Sequence, residues 1–299
     1  MRILLTGGTG FIGRPLCAAL VAAGHEVTVP SRRPETVATK CGPQVRPMAS
    51  LADWCEEVAF DAVINLAGEP IADAAWSEAR KRALRDSRIG TTQQLVAAIA
   101  RARQKPHVLL SGSAIGYYGD TGDRAIDESA PPANDFAATL CRDWEHAALA
   151  AESQGVRVCL LRTGLVLDAS GGMLGKLLPA FRFGLGARLG DGRQWMSWIA
   201  LDDYIEAVLM LLQNGHARGP WNMTAPQPVT NAEFTRTLAR AVHRPAWFSA
   251  PSSVLKLALG ERSPLLLGGQ RVLPARLLQD GFRFRHADLA AALRELARR

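Results

Sequence analysis

The sequence has no apolar run approaching the roughly 18 residues that a membrane-spanning helix needs, so no membrane association is expected. It enters a strand directly after Met1, without a charged leader or a cleavage site, which makes the cytoplasm the expected compartment. Cysteine is sparse. Cys17, Cys41, Cys55, Cys141 and Cys159 are odd in number, widely spaced and contain no C-x-x-C pair. That argues against a disulfide framework and for reduced thiols packed as small apolar groups. The six histidines are scattered with no pair at i, i+4, and no metal site is expected. No internal repeat or low-complexity segment interrupts the chain.

Acidic residues are few in the tail. From Arg236 onward, 12 Arg or Lys face four acids, a balance of +8, which leaves about −1 of the net +7 for the first 235 residues. A basic lobe can mark a nucleic-acid binder, but here the charges are spread singly among Leu, Ala and Pro with no interleaved aromatics. No nucleic-acid partner is expected. A small-molecule substrate, anionic on the strength of this charge, and a solvated Arg-rich surface both stay open.

What is present is an ordinary globular composition, 48% hydrophobic with mean hydropathy near zero, and length enough for one large α/β domain plus a smaller lobe. Short apolar runs alternate with helical stretches. Strands are predicted at Arg2–Thr6, Glu26–Pro30, Asp61–Leu66, His107–Ser111 and Val156–Arg162, and helices at Phe11–Ala23, Ser77–Ser87 and Thr91–Arg103. This rhythm predicts a Rossmann-type doubly wound parallel sheet over residues 1–225. After it comes a smaller, mainly helical lobe over residues 226–299, with contributions from the 170–200 segment.

The segment "TGGTGFIG" fits G-x-G-x-x-G through Gly8, Gly10 and Gly13, and a wider variant through Gly7, Gly10 and Gly13. It follows a strand and opens a helix, which turns a weak glycine triad into a strong signal. Gly7 or Gly8 makes the turn, Gly10 lets backbone approach a pyrophosphate, and Gly13 lets helix and strand pack closely. Phe11 and Ile12 lie between them, at a helix N-terminus suited to negative charge. The second strand ends on Ser31, Arg32 and Arg33, with no acid until Glu35. A carboxylate there would hold ribose hydroxyls; a guanidinium instead pairs with a 2′-phosphate, so NADP(H) is the predicted cofactor.

The motifs "TGGTGFIG", "DAVINLAG" and "LLSGSAIGYYGD" together resemble the extended short-chain dehydrogenases/reductases, the group of the nucleoside-diphosphate-sugar epimerases and dehydratases. Through "VINLAGEPI", "SRIGTTQQL", "CRDWE", "RTGLVL" and "SWIALDDYIEAV", the chain is similar to a narrower branch, the YfcH-like epimerase-family proteins. Its tail resembles the small C-terminal domain of unknown function that accompanies that branch. The resemblance implies that Leu66, Ala67 and Gly68 lie against adenosine and ribose, that Arg88 projects toward the cofactor, and that Arg162 to Val166 approaches the nicotinamide.

The same resemblance exposes an absence. The extended family works with a Ser or Thr near the end of the fifth strand and a Tyr-x-x-x-Lys pair on the next helix. Ser111 or Ser113 meets the first requirement, but "NDFAATLCRDWEHAAL" holds neither Tyr nor Lys, and the two positions fall at Ala137 and Cys141, or at Phe136 and Leu140. The candidate catalytic groups are therefore Ser113 and Tyr117, with Tyr118 beside it. Phe136, Leu140 and Trp144 form an apolar stripe at i, i+4, i+8, which places Arg142, Asp143 and Glu145 off it, facing solvent or the second lobe. The expected cleft between the sheet edge and the tail is lined by Ser113, Tyr117 and residues near Trp195–Trp198. Two functions follow: an NADP(H)-dependent oxidoreductase or epimerase-like enzyme with an atypical active site, or a non-catalytic NADP(H)-binding sensor or interaction module.

Overall fold

The computed structural model describes residues 1–298. Seven strands form one parallel sheet: β1 (Arg2–Thr6), β2 (Glu26–Pro30), β3 (Arg46–Met48), β4 (Ala62–Asn65), β5 (Val108–Ala114), β6 (Arg157–Thr163) and β7 (Gly219–Met223). Their spatial order is β7-β6-β5-β4-β1-β2-β3, the doubly wound Rossmann arrangement with its crossover beside β1. The inner strands are continuous apolar runs because helices cover both faces. One face packs against helices Gly13–Ala22 and Leu201–Gln213, through Leu16, Leu20, Tyr204 and Val208. The other packs against helix Thr91–Arg101, through Leu95 and Ile99.

Two of the seven strands escape the sequence pattern, β3 ("RPM") and β7 ("GPWNM"). Each carries a proline within its run, which the middle of a central strand would not accept, and each lies at an edge of the sheet, where proline costs no ladder bond. Strand β5 also runs three residues beyond the predicted Ser111, to Ala114. This extension decides the environment of Ser113.

Register brings the few polar residues of the buried strands side by side. Thr6 stands opposite Asn65, and Asn65 opposite Ser111. Closer to the C-terminal edge, Ser113 stands opposite Arg162, and Arg162 opposite Asn222.

A second hydrophobic cluster joins Leu174, Leu178, Phe181 and Trp198 to Phe234, Leu238, Leu289 and Leu293. The smaller lobe is therefore built from the 165–200 segment and the tail together. The tail also returns to the first domain, where strand Arg271–Val272 pairs with Ala125–Ile126. Among the described residues no helix is long and apolar enough to cross a membrane, and the five cysteines are free thiols.

Candidate cofactor groove and active site

The glycine-rich loop leaves β1 at the sheet's C-terminal edge. Gly7 has φ +73°, and a Cβ there would lie 2.5 Å from the carbonyl oxygen of Leu66, so only glycine fits between the two strand ends. The Gly10 N–H donates to the Gly7 carbonyl at 2.9 Å, closing the turn. Helix Gly13–Ala22 begins at Ile12 with no side-chain cap and no acid in its first turn, which leaves amide donors and the positive dipole end for an anion. Phe11 is held differently: its ring lies against Gly171 and Gly172, where a Cβ would come within 3 Å of it, tying the loop to the second lobe. Ile12 packs on the core below.

At the end of β2 the Ser31 N–H donates to Met48, and the Ser31 hydroxyl accepts from the Arg33 N–H at 3.1 Å. Arg33 is exposed, and the side chain of Arg32 is 94% exposed, with Glu69 at 3.7 Å as its partner. Glu69 is absent from the sequence-based site; it arrives from the loop after β4, 37 residues from Arg32 by number, and also pairs with Arg80. Leu66, Ala67 and Gly68 line that loop beside Gly7. Arg88 sits on a single π-type turn, Asp86–Gly90. It lies beneath Gly68, donates to the Glu69 carbonyl at 2.8 Å, and stands over the Trp144 ring, while burial pulls its pKa below the usual guanidinium range. In this position it holds up the loop.

This half fits a dinucleotide carrying an extra phosphate. Its cradle is closed to any Cβ at Gly7, its helix end offers unpaired amides, and among the described residues its exposed guanidinium has one weakly held partner.

The other half is closed. Ser113 is buried and donates to Glu145 Oε1 at 2.6 Å. Arg162, 4% exposed, grips Glu145 with two bonds, Nε to Oε1 at 2.8 Å and Nη2 to Oε2 at 2.9 Å. Its Nη1 donates to the Tyr118 hydroxyl at 2.9 Å and to the Glu128 carbonyl at 3.2 Å. The Tyr118 hydroxyl donates to Asn222 at 2.7 Å. The Asn222 N–H in turn reaches the Glu128 carboxylate, which also accepts from the Arg276 N–H. Tyr117 lies flat on the chain of bonds, its ring 3.6 Å from the Arg162 guanidinium carbon. Burial opposes the charge on Arg162, but Glu145 more than restores it and lifts its pKa. Burial pushes the Tyr118 phenol up to about 12 against the pull of Arg162, and raises Glu128 as well.

Glu145 corrects the periodicity argument. It is buried rather than solvent-facing, because Arg162 reaches it from β6. The stripe itself is found: Leu140 and Trp144 are buried, and Phe136 is half-buried against Trp76. Ala137 and Cys141, one turn apart, line the cleft described next, and Glu145 continues the same helical face into the interior. The Cys141 thiol is driven up to about 12, first by burial and then by Glu145. Ser111 is fully buried, with the Asn65 amide at 3.5 Å.

A cleft of about 720 Å³ opens where β5 and β6 end, between the sheet edge and the second lobe. It is lined there by Ala114 at the end of β5 with Ile115 and Gly116 beyond it, and by Thr163 at the end of β6 with Gly164 and Leu165 beyond it. Trp195, Met196 and Ser197 line it as expected, and Val166, mostly buried, stands one residue behind the rim. Ser113 and Tyr117 do not line it, contrary to expectation. The extended β5 carries Ser113 into the buried network, and Arg162 occupies the face of Tyr117.

Residues 3–224 match the model of the NAD dependent epimerase/dehydratase family, and residues 250–296 match a domain of unknown function, DUF1731. The chain is 44% identical over 292 residues to an epimerase family protein of Mycobacterium bovis, covering 97% of this chain and 96% of that one. It superposes on the crystal structure of the human epimerase family protein SDR39U1 with NADPH at a TM-score of 0.90 and 36% identity, over 100% and 99% of the two chains. The nucleoside-diphosphate sugar epimerase from Corynebacterium glutamicum is similar at a TM-score of 0.78 and 32% identity, over 99% of this chain and 58% of that one.

Proposed function

This chain belongs to the NAD dependent epimerase/dehydratase family, and from that membership we propose that it is an NADP(H)-dependent oxidoreductase acting on a small molecule held in the cleft. One observation carries the reading: the open groove with Arg32 and the 720 Å³ cleft share the C-terminal edge of a single sheet, where such folds bring cofactor and substrate together. The relative that superposes over its whole length was crystallised with NADPH, which supports the choice of cofactor. When bound, NADP(H) supplies hydride chemistry. The chain's own part is to hold phosphates at Gly7–Gly13 and Arg32, to keep water from the cleft with its aromatic walls, and to fix the rim through the Glu145–Arg162 pair. Ser113 and Tyr117 act in this reading as positioning groups, one holding the Glu145 carboxylate and the other covering the guanidinium.

With Ala137 and Cys141 where the extended family has its Tyr and Lys, epimerisation of UDP-sugars is expected to be undetectable or slow. General acid-base groups contribute about 10²–10⁴-fold, and the cleft wall offers none at these positions. The engaged hydroxyls of Ser113 and Tyr118 favour a second reading, a non-catalytic NADP(H) sensor. NADPH oxidation against a panel of aldehydes, ketones and quinones separates the two. Turnover supports the oxidoreductase, tight NADPH binding without turnover supports the sensor, and failure to bind NADPH removes both.

A further inference from the structure

The cleft's charge pattern is one-sided. Among the described residues its lining holds three ionisable carboxylates, Asp120, Asp135 and Glu261, and no Lys, Arg or His. Each acid is already engaged. Asp135 caps the helix at Phe136 by accepting from the Ala138 N–H, Asp120 accepts from the Gly122 N–H, and Glu261 pairs with Lys81 at 2.7 Å. Three cations on adjoining segments have partners of their own: Lys81 with Glu78 and Glu261, Arg262 with the Ala72 carbonyl, and Arg271 with the face of Trp195 at 4.6 Å, while Arg188 and Arg193 flank the wall without lining it.

Three of the lining's polar side chains are spent on the lobe itself. Gln194 donates to the carbonyls of Leu189 and Leu266, Ser197 donates to Gln270, and the Asn231 carbonyl accepts from the Leu189 N–H. What remains to meet a ligand is mainly apolar, Trp76, Phe136, Met173, Leu177, Phe181 and Phe234, with the Gln270 amide and the Thr235 hydroxyl beside them. A diphosphate placed there would lose its hydration and gain no counter-charge, and sugar hydroxyls would find few free partners, both costly in a dry site.

We infer that the cleft takes an uncharged, largely apolar molecule presenting a single carbonyl or hydroxyl, and rejects nucleoside-diphosphate sugars and other anions. This rests on the reading of the cleft as the substrate site, and it replaces the anionic substrate suggested by the basic tail. Among the described residues, none of the tail's Arg or Lys side chains from Arg236 onward lines the cleft, so their charge belongs to other surfaces.

The test is equilibrium binding to the NADPH-loaded protein, followed by calorimetry and by the fluorescence of Trp76 and Trp195. Three probes are compared: methyl nonyl ketone, decanoate and UDP-glucose. The ketone is expected to bind about tenfold or more tightly than either anion. A Met173→Lys variant, which adds a cation to the wall, should weaken the ketone and strengthen decanoate. Equal or tighter binding of decanoate or UDP-glucose to the unaltered protein, or no binding of the ketone, overturns the inference. NADPH titration of the same sample reports on the cofactor separately, so loss of that binding is told apart from a wrong substrate class.

Discussion

The two ends of the sheet's C-terminal edge treat polar groups in opposite ways. Around β1 and β2 they are left open: uncapped helix amides at Gly13 and a guanidinium on Arg32 that is 94% exposed. Around β5, β6 and β7 they point at one another, in a chain of bonds from Ser113 through Glu145, Arg162, Tyr118 and Asn222 to Glu128. Unsatisfied groups are available to a ligand, whereas satisfied ones hold shape. The first region can bind before anything moves; the second can change its bonding only by breaking a buried ion pair.

The largest effect should come from breaking the closed half. Glu145→Ala leaves Arg162 charged and buried without its partner, which costs about 3–5 kcal/mol. Denaturant unfolding should show it as a lower midpoint at unchanged slope, and a Glu145→Leu, Arg162→Met double variant should recover most of the loss. An unshifted midpoint for the single variant would mean that water already serves the pair.

Next comes the open half. Arg32→Ala should remove most of a preference for NADPH over NADH of about 10–100-fold, equivalent to roughly 1.5–3 kcal/mol, while NADH affinity stays nearly constant. Titration of both cofactors measures it, and equal affinities in the unaltered protein would end the assignment of Arg32 to the 2′-phosphate.

Alkaline titration probes the closed half with less force. Tyr118 and Tyr204 are both pushed by burial up to about 12, above the ordinary value of about 10. The folded state keeps these protons longer than the unfolded state does. The stability they contribute is therefore complete below about pH 10 and is lost as pH rises through about 12. Phenolate absorbance should show two late-ionising tyrosines, with one late step removed in Tyr118→Phe. A single common step near 10 would show that the network is loose.

The smallest effect belongs to Glu69→Gln. It frees Arg32 from a partner at 3.7 Å, and exposed pairs are worth under about 1 kcal/mol, so NADPH affinity should rise by at most a few-fold.

The same contrast explains what is legible in the amino-acid order. The nucleotide groove is made of neighbours in the chain: a strand, a glycine turn and a helix start, whose backbone demands show as residue types. The closed half is made by register. Ser113, Arg162 and Asn222 meet because β5, β6 and β7 lie side by side, and Glu145 turns inward because Arg162 arrives from another strand. Helical periodicity sees only its own helix, so it takes a charged residue off the apolar stripe as solvent-facing. Edge strands β3 and β7 are hidden by their prolines. The cleft's position is legible through Trp195, but its wall is misassigned at Ser113 and Tyr117 because the pattern ends β5 three residues early.

The bond from the Arg276 N–H to Glu128 spans 148 positions of the chain. At synthesis rates of about 5–20 residues per second, Glu128 emerges about 7–30 s before the segment that covers it. Until then its carboxylate lacks the Arg276 N–H, and the cleft lacks the lining that runs from Glu261 to Gln270. The glycine turn and Arg32, all within the first 33 residues, precede even Glu128. A newborn chain thus presents its nucleotide groove early and completes its apolar pocket last, so the apolar wall made from Trp76 onward stays uncovered until the tail arrives.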